Sequence, residues 1–185
     1  MIRNLLIGAL LGTLLLAASV AEARRLSGEA SGWGTDAGST AVGRDNLGKF
    51  TVGGVSELEE FDESNPVFCD FDEFGYPRGV ELQYVSLSQV VRYKNGDLMF
   101  SELDPNVPST LCFNFIDNVS STFEAYSIIT GGTGRFEGAT GYSAATGSST
   151  QLGDVNDGGI FGFSSKTEGE IFLQHGHHYD EDDDD

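Results

Sequence analysis

The sequence predicts an all-β fold, a single antiparallel barrel of about eight strands. Three observations carry that prediction. Short runs of alternating apolar and polar residues recur along the chain, separated by glycine-rich turns. Glycine supplies 25 of the 185 residues and proline only 4, a balance that suits tight turns and curled strands. Beyond the N-terminal apolar run, no stretch shows the 3.6-residue spacing of an amphipathic helix.

Residues 1–23 read as a signal peptide. Arg3 gives a short positive region, residues 5–20 are apolar, and Ala21-Glu22-Ala23 fits a small-x-small cleavage site. A retained anchor is the alternative, but the apolar run is short for a membrane span. The expected location is therefore secreted, periplasmic or extracellular, with no membrane contact after cleavage. Residues 24–39 are rich in Gly, Ser, Ala and Thr and are expected to be a flexible lead-in with at most a weak strand at 26–31. Trp33 is expected to plug the end of a small core rather than to stack on a sugar.

The barrel domain is expected over residues 40–173. Strands are read at 47–55, 79–94, 97–103, 111–116, 121–130, 142–152 and 160–173. Asn95-Gly96 should close the central hairpin as a type I′ turn. In the last strand Phe161, Phe163, Ile171 and Leu173 share one parity and should face one side of the sheet. Asn118-Val119-Ser120 satisfies the glycosylation sequon, which has meaning only in a eukaryotic secretory pathway. Residues 174–185 read as an acidic tail.

The chain is organised around residues 129–142. Gly131, Gly132 and Gly134 read as a tight turn, followed by a returning strand from Arg135 through Phe136 in which Gly138 and Gly141 mark a bulge or bend. A phosphate-binding loop would need these glycines to open a helix and to end in Gly-Lys-Ser/Thr; neither condition is met.

The same stretch, Gly131-Gly132-Thr133-Gly134-Arg135-Phe136 with Gly138-Ala139-Thr140-Gly141, resembles a pattern in small secreted bacterial proteins. It is also similar to the Gly-Gly-Thr/Ser-Gly-x-Phe segment of the allene oxide cyclase and dirigent barrels. Asn46-Leu47-Gly48-Lys49-Phe50-Thr51 and Asn95-Gly96-Asp97 resemble the first strand and central hairpin of the bacterial group, in which His often stands at the position of Asn46. The resemblance implies an eight-stranded antiparallel barrel with an apolar cavity, in families that are often homo-oligomeric. The catalytic residues of those families have no matching positions here, so no activity follows from the resemblance.

The formal net charge is −19 and the isoelectric point about 4.2. No basic stripe exists to displace counterions, which argues against nucleic acid as a partner and against anionic membrane surfaces. Residues 56–77 form a long acidic excursion that also carries Phe61, Phe68, Phe71 and Phe74. Acidic disordered loops rarely hold so many aromatics, so part of this loop is expected to fold over the barrel mouth and meet a ligand. Its carboxylates lack the Asp-x-Asp/Asn-x-Asp/Asn-Gly pattern of a calcium loop.

Cys69 and Cys112 are the only two cysteines. In an oxidising compartment a disulfide between them is the leading expectation; two unpaired thiols or a nucleophile are the alternatives. His175, His177 and His178 lie beside the terminal aspartates, where a solubilising tail is favoured over a metal site. No cofactor and no metal site are assigned. No catalytic residue is assigned either: Glu81, Glu102, Asp117, Glu124, Glu137, Glu168 and Glu170 lie on or near strands, with most expected to face solvent. Two readings of function remain. One is a non-catalytic exported barrel that binds an apolar small molecule or serves as an interaction module. The other is a cyclase or isomerase acting on a reactive apolar intermediate, for which an inward-facing strand carboxylate with a raised pKa would be the sign.

Overall fold

The computed structural model describes residues 21–35, 37–117, 119–153 and 159–174. Residues 1–20 of the expected signal peptide, Asp36, Asn118 of the sequon, residues 154–158 and the His/Asp-rich run from residue 175 lie outside the described residues.

Among the described residues ten antiparallel strands make one sheet: β1 (Ala21–Thr35), β2 (Gly38–Asp45), β3 (Gly48–Leu58), β4 (Phe68–Phe71), β5 (Pro77–Tyr93), β6 (Leu98–Leu103), β7 (Thr110–Asn114), β8 (Ser120–Gly132), β9 (Thr140–Gln151) and β10 (Phe161–Gln174). A 3-10 turn, Gly134–Phe136, joins β8 to β9. The order β3-β2-β1-β10-β9-β8 continues through β6 to β5, and β5 pairs back onto β3. The sheet is thus a closed barrel of eight staves, because β6 and β7 share one stave between β5 and β8. Closure leaves no edge along the staves. β4 stands in line with β3 on the flank of β5, pairing Phe68 with Val80 and Phe71 with Pro77. The early part of β5, with β4 on one side and β7 on the other, forms a short ribbon.

The Cys69–Cys112 disulfide holds that ribbon together. β4 and β7 flank β5, so in a flat sheet they would lie about 9.5 Å apart. The two cysteine Cα atoms are 5.9 Å apart, so the ribbon curls around the intervening strand. Gly79 of β5 makes this curl possible: a Cβ there would lie 2.8 Å from the Cys112 sulfur and 3.1 Å from the Cys69 sulfur.

Beyond adding β2, and β4 and the end of β3 within the 56–77 excursion, the structure departs from the sequence reading at four places. First, residues 24–39 are not a flexible lead-in. β1 pairs with β10 from Ala21 opposite Gln174 to Gly34 opposite Phe161, and with β2 from Gly28 opposite Asp45 to Thr35 opposite Gly38. Small residues there mark a strand with little side-chain volume, not a loop. Second, Trp33 is no plug. Leu26, Gly28 and Ala30 face inward along β1, while Trp33 is absent from the cavity lining and is 55% exposed. Third, the returning strand begins at Thr140, not Arg135. Residues 133–139 are a connection that tucks Phe136 into the core, where it is 0% exposed. Fourth, the Asn95-Gly96 turn is not type I′. Gly96 has φ 94° while Asn95 is not in the positive region; Gly96 N donates to Tyr93 O, and Tyr93 N to Asp97 O. That is a three-residue hairpin loop with glycine at its left-handed position.

The packed core occupies one end of the cylinder. Val91, Tyr93, Met99, Ile129, Phe136, Ala139, Ile171 and Leu173 form it, with Leu47, Phe50 and Val52 against its edge. Ile171 and Leu173 thus face inward with Phe161 and Phe163, as the shared parity predicted.

Candidate functional site

Above the core the barrel is open. A cavity of about 610 Å³ runs up its interior, a volume within the usual range for a small-molecule site. An eight-stranded barrel is normally just wide enough to be filled by its own side chains. Here the inward positions divide by wall. On β3, β5 and β7 they are bulky, including Leu58, Leu82, Tyr84, Leu87, Leu111 and Phe113. On β1, β8, β9 and β10 many are small: Gly28, Ala30, Ser121, Ala125, Ser127, Ser143, Ala145, Ser149, Ser165 and Thr167. The small wall leaves the volume unfilled. It also lines one side of the cavity with hydroxyls, while the opposite side is mostly hydrocarbon.

At the floor the lining includes one carboxylate, Asp45 at the end of β2. Its Oδ2 accepts the Tyr93 hydroxyl at 2.7 Å, and its Oδ1 accepts the Leu47 backbone N–H at 2.8 Å. Burial raises the Asp45 carboxyl above its ordinary value of 3.8, against the pull of these hydrogen bonds, the Gly48 N–H and the Arg135 charge. Tyr93 is raised as well, first by burial and then by the neighbouring Asp45. Higher on the wall, burial pushes the Tyr84 phenol up to about 12.

Arg135 lies beneath this floor. Its guanidinium stacks 4.6 Å from the Tyr93 ring centroid and 4.8 Å from that of Phe136. Its Nη2 donates to Leu47 O at 2.9 Å, and its Nε lies 3.6 Å from Asp97 Oδ2. The Nε is buried without a hydrogen bond of its own. Gly134 takes φ 58°, and a Cβ there would come within 1.9 Å of Asp97 Oδ1. The three sequence motifs therefore meet at one place. The glycine motif brings Arg135 and Phe136, the hairpin brings Asp97, and the first-strand motif brings Leu47 and Asn46. The Asn46 side chain staples β1 by donating to Arg25 O at 2.7 Å and accepting from Ser27 N at 2.9 Å. These motif residues build the floor and the fold; Asp45, which precedes the first motif by one position, is what faces the cavity.

The other expected site residues sit as follows. Phe61, Phe68, Phe71 and Phe74 are 49%, 45%, 56% and 77% exposed and are not part of the cavity lining. Phe68 comes nearest in pattern: it pairs with Val80, which pairs with Phe113 on the cavity wall. Directly opposite residues share a face of the sheet, so Phe68 extends that wall past the rim. Phe74 and Tyr76 ride on a turn held by the Asp72 carboxylate, which accepts both of their backbone N–H groups at 2.9 Å. Glu102, Glu124, Glu137 and Glu168 are exposed, and none of the seven carboxylates considered from sequence lines the cavity. Sequence reasoning missed Asp45 because it sits in a turn-like Arg44-Asp45-Asn46 run. The signal that was available is its parity with Ala41 and Gly43 on the inner face of β2.

No protein-family model and no curated protein sequence matches this chain. A solved structure of a pterocarpan synthase dirigent protein is similar over 86% of this chain and 90% of its own, at 12% identity and a TM-score of 0.27. That score supports no argument about this molecule, so the architecture rests on the strand pairing itself: an all-β, closed, eight-stave antiparallel barrel with a disulfide and an open interior.

Proposed function

We propose that this protein is an exported, non-catalytic barrel that holds an apolar small molecule in its interior. The observation that carries the reading is the cavity of about 610 Å³, walled on one side by Leu, Phe and Tyr side chains. Burying apolar ligand surface against such a wall is favourable by about 25 cal/mol per Å². Phe68, which shares a face with the cavity wall, meets whatever part of the ligand protrudes. The disulfide fits an oxidising, exported setting. Charged residues on the outer faces, such as Arg44, Lys49, Glu102, Glu124 and Glu168, are exposed, which speaks against a lipid-facing band. Trp33, Val42, Val55 and Val90 are exposed on the outer face of β1, β2, β3 and β5. That is the surface through which self-association would run.

The test is titration of the mature protein with a neutral solvatochromic dye, beside a Ser149→Trp variant that fills the interior. Saturable binding by the native protein and its loss in the variant is the expected result. Absence of binding by the folded native protein would overturn the reading. A second reading, a cyclase or isomerase, is favoured by Asp45, a cavity-facing carboxylate with a raised pKa. Chemical change of a bound polyene or epoxide, lost in Asp45→Asn, would move the protein to that class.

A further inference from the structure

The charge pattern of the cavity says more than that the ligand is apolar. Among the described residues its wall holds no lysine, arginine or histidine, and Asp45 is the only acidic side chain on it. The nearby guanidinium of Arg135 is not open to an entering anion. Tyr93, Phe136, Leu47 O and Asp97 already occupy it below the floor. A carboxylate driven into this site would exchange water for a low-dielectric wall, meet another carboxylate, and find no cation.

A hydrogen-bond donor meets the opposite situation. A carboxylate offers about four acceptor directions. On Asp45, Tyr93 O–H and Leu47 N–H fill two of them, and the group still lines the cavity. Further up, the Tyr84 side chain has no hydrogen-bond partner among the described residues, and the Ser121 and Ser149 hydroxyls bond to each other while lining the lumen. The lumen therefore presents polar groups on both walls, and the one charged side chain among them is an acceptor.

Resting on the reading that the barrel holds an apolar small molecule, we propose that its ligand is an amphiphile with a hydrogen-bond-donating head that carries no negative charge. The head, a hydroxyl or an ammonium, enters first and donates to Asp45. Fatty-acid-like carboxylates are rejected.

The experiment uses the full mature chain and three chain-matched probes, dodecanol, dodecylamine and laurate, each displacing a neutral solvatochromic dye at pH 7. It is run in 0.5 M salt, where the screening length falls to about 4 Å, so that the −19 surface field does not by itself repel laurate. The expected result is displacement by dodecanol or dodecylamine at concentrations about ten-fold below that of laurate, or lower. In Asp45→Asn that preference should shrink several-fold while the dye still binds; an amine advantage that shrinks more than the alcohol advantage identifies ammonium as the preferred head. Laurate equal to or better than the other two in the native protein overturns the head-group assignment, whatever the variant does. A preference unchanged in a folded Asp45→Asn overturns the role of Asp45. If the dye and all three probes fail to bind the native protein, the proposed function itself falls, a result distinct from binding without preference.

Discussion

Phe136→Ala is the perturbation that tests the floor most directly. The ring is 0% exposed, lies 4.9 Å from the Tyr93 ring centroid, and carries the Arg135 guanidinium at 4.8 Å. Two routes give the cost. Burying a phenylalanine removes about 150–250 Å² from water, worth about 4–6 kcal/mol at 25 cal/mol per Å², an upper bound because the unfolded chain keeps some burial. Phe→Ala truncations in well-packed cores cost about 3–5 kcal/mol. A loss of about 4 kcal/mol would lower the melting temperature of a chain this size by about 8–15 °C. The assay is equilibrium denaturation followed by circular dichroism, with the disulfide left intact in both proteins. Phe163→Ala is the control. Phe163 lines the open cavity and is only partly buried, so the vacated space joins an existing void and the cost should be about 1–2 kcal/mol. A loss below about 1.5 kcal/mol for Phe136→Ala, or equal losses for the two variants, would refute the claim that the 133–139 connection is the anchor of the core.

Three further outcomes follow from the same structure. Gly79→Val should block the Cys69–Cys112 bond, since even a Cβ at that position lies 2.8 Å from a sulfur; thiol titration of the denatured, unreduced variant should then find free thiol where the native protein has none. Reducing the disulfide should cost about 3–4 kcal/mol of stability, from the entropy of a loop with sequence separation 43, and proteolysis of the reduced protein should begin near β4, which has no other covalent tie. The raised pKa of Asp45 gives stability that is fully present below about 3.8 and is lost as pH rises through the higher folded-state value; the stability of Asp45→Asn relative to the native protein should therefore climb across that window and level off above it, and a flat difference would show that Asp45 is not held in a desolvated site.

How much of this was legible in the sequence depends on what each residue's signal reports. Alternation marks strands well, so the β5–β6 hairpin, β7 and β10 stood where their patterns placed them. The β1 strand carried only a weak signal, over residues 26–31, because its inner residues are mostly small. Glycine and alanine read as loop when the volume they leave is in fact the lumen. Phe136 looked like a strand residue within a glycine motif. Only the long-range meeting of Asp97, Leu47 and Arg135 shows why the chain leaves the sheet there. The disulfide was readable because only one pairing of two cysteines exists. The four rim phenylalanines drew attention by their type, yet type does not report facing. The β4–β5 pairing that sets Phe68 on the face of the cavity wall and Phe71 on the other depends on contacts between residues 68–71 and 77–80, and composition does not encode these. Asp45 illustrates the reverse failure: an ordinary residue type given its chemistry by burial.

The small inner residues of β8, β9, β10 and β1 are a cost that a purely structural barrel would not keep. Every methylene that would fill the interior is worth about 0.8 kcal/mol once buried, and the bulky wall of β3, β5 and β7 shows that this chain can place large side chains inward. Leaving Ala145 opposite Ala125 and Thr167, with no large side chain among the three, forgoes that stabilisation. If the emptiness serves a ligand, filling it should separate stability from binding. Ala145→Leu adds three methylene equivalents into space already present. It should raise stability by about 1–2 kcal/mol, below the full transfer value because the new side chain loses rotamer freedom and the cavity remains partly open. Dye affinity should fall at least several-fold in the same protein. A variant that is destabilised would mean the interior is already packed at Ala145. A variant that is stabilised while dye binding is untouched would place the ligand elsewhere than in the barrel.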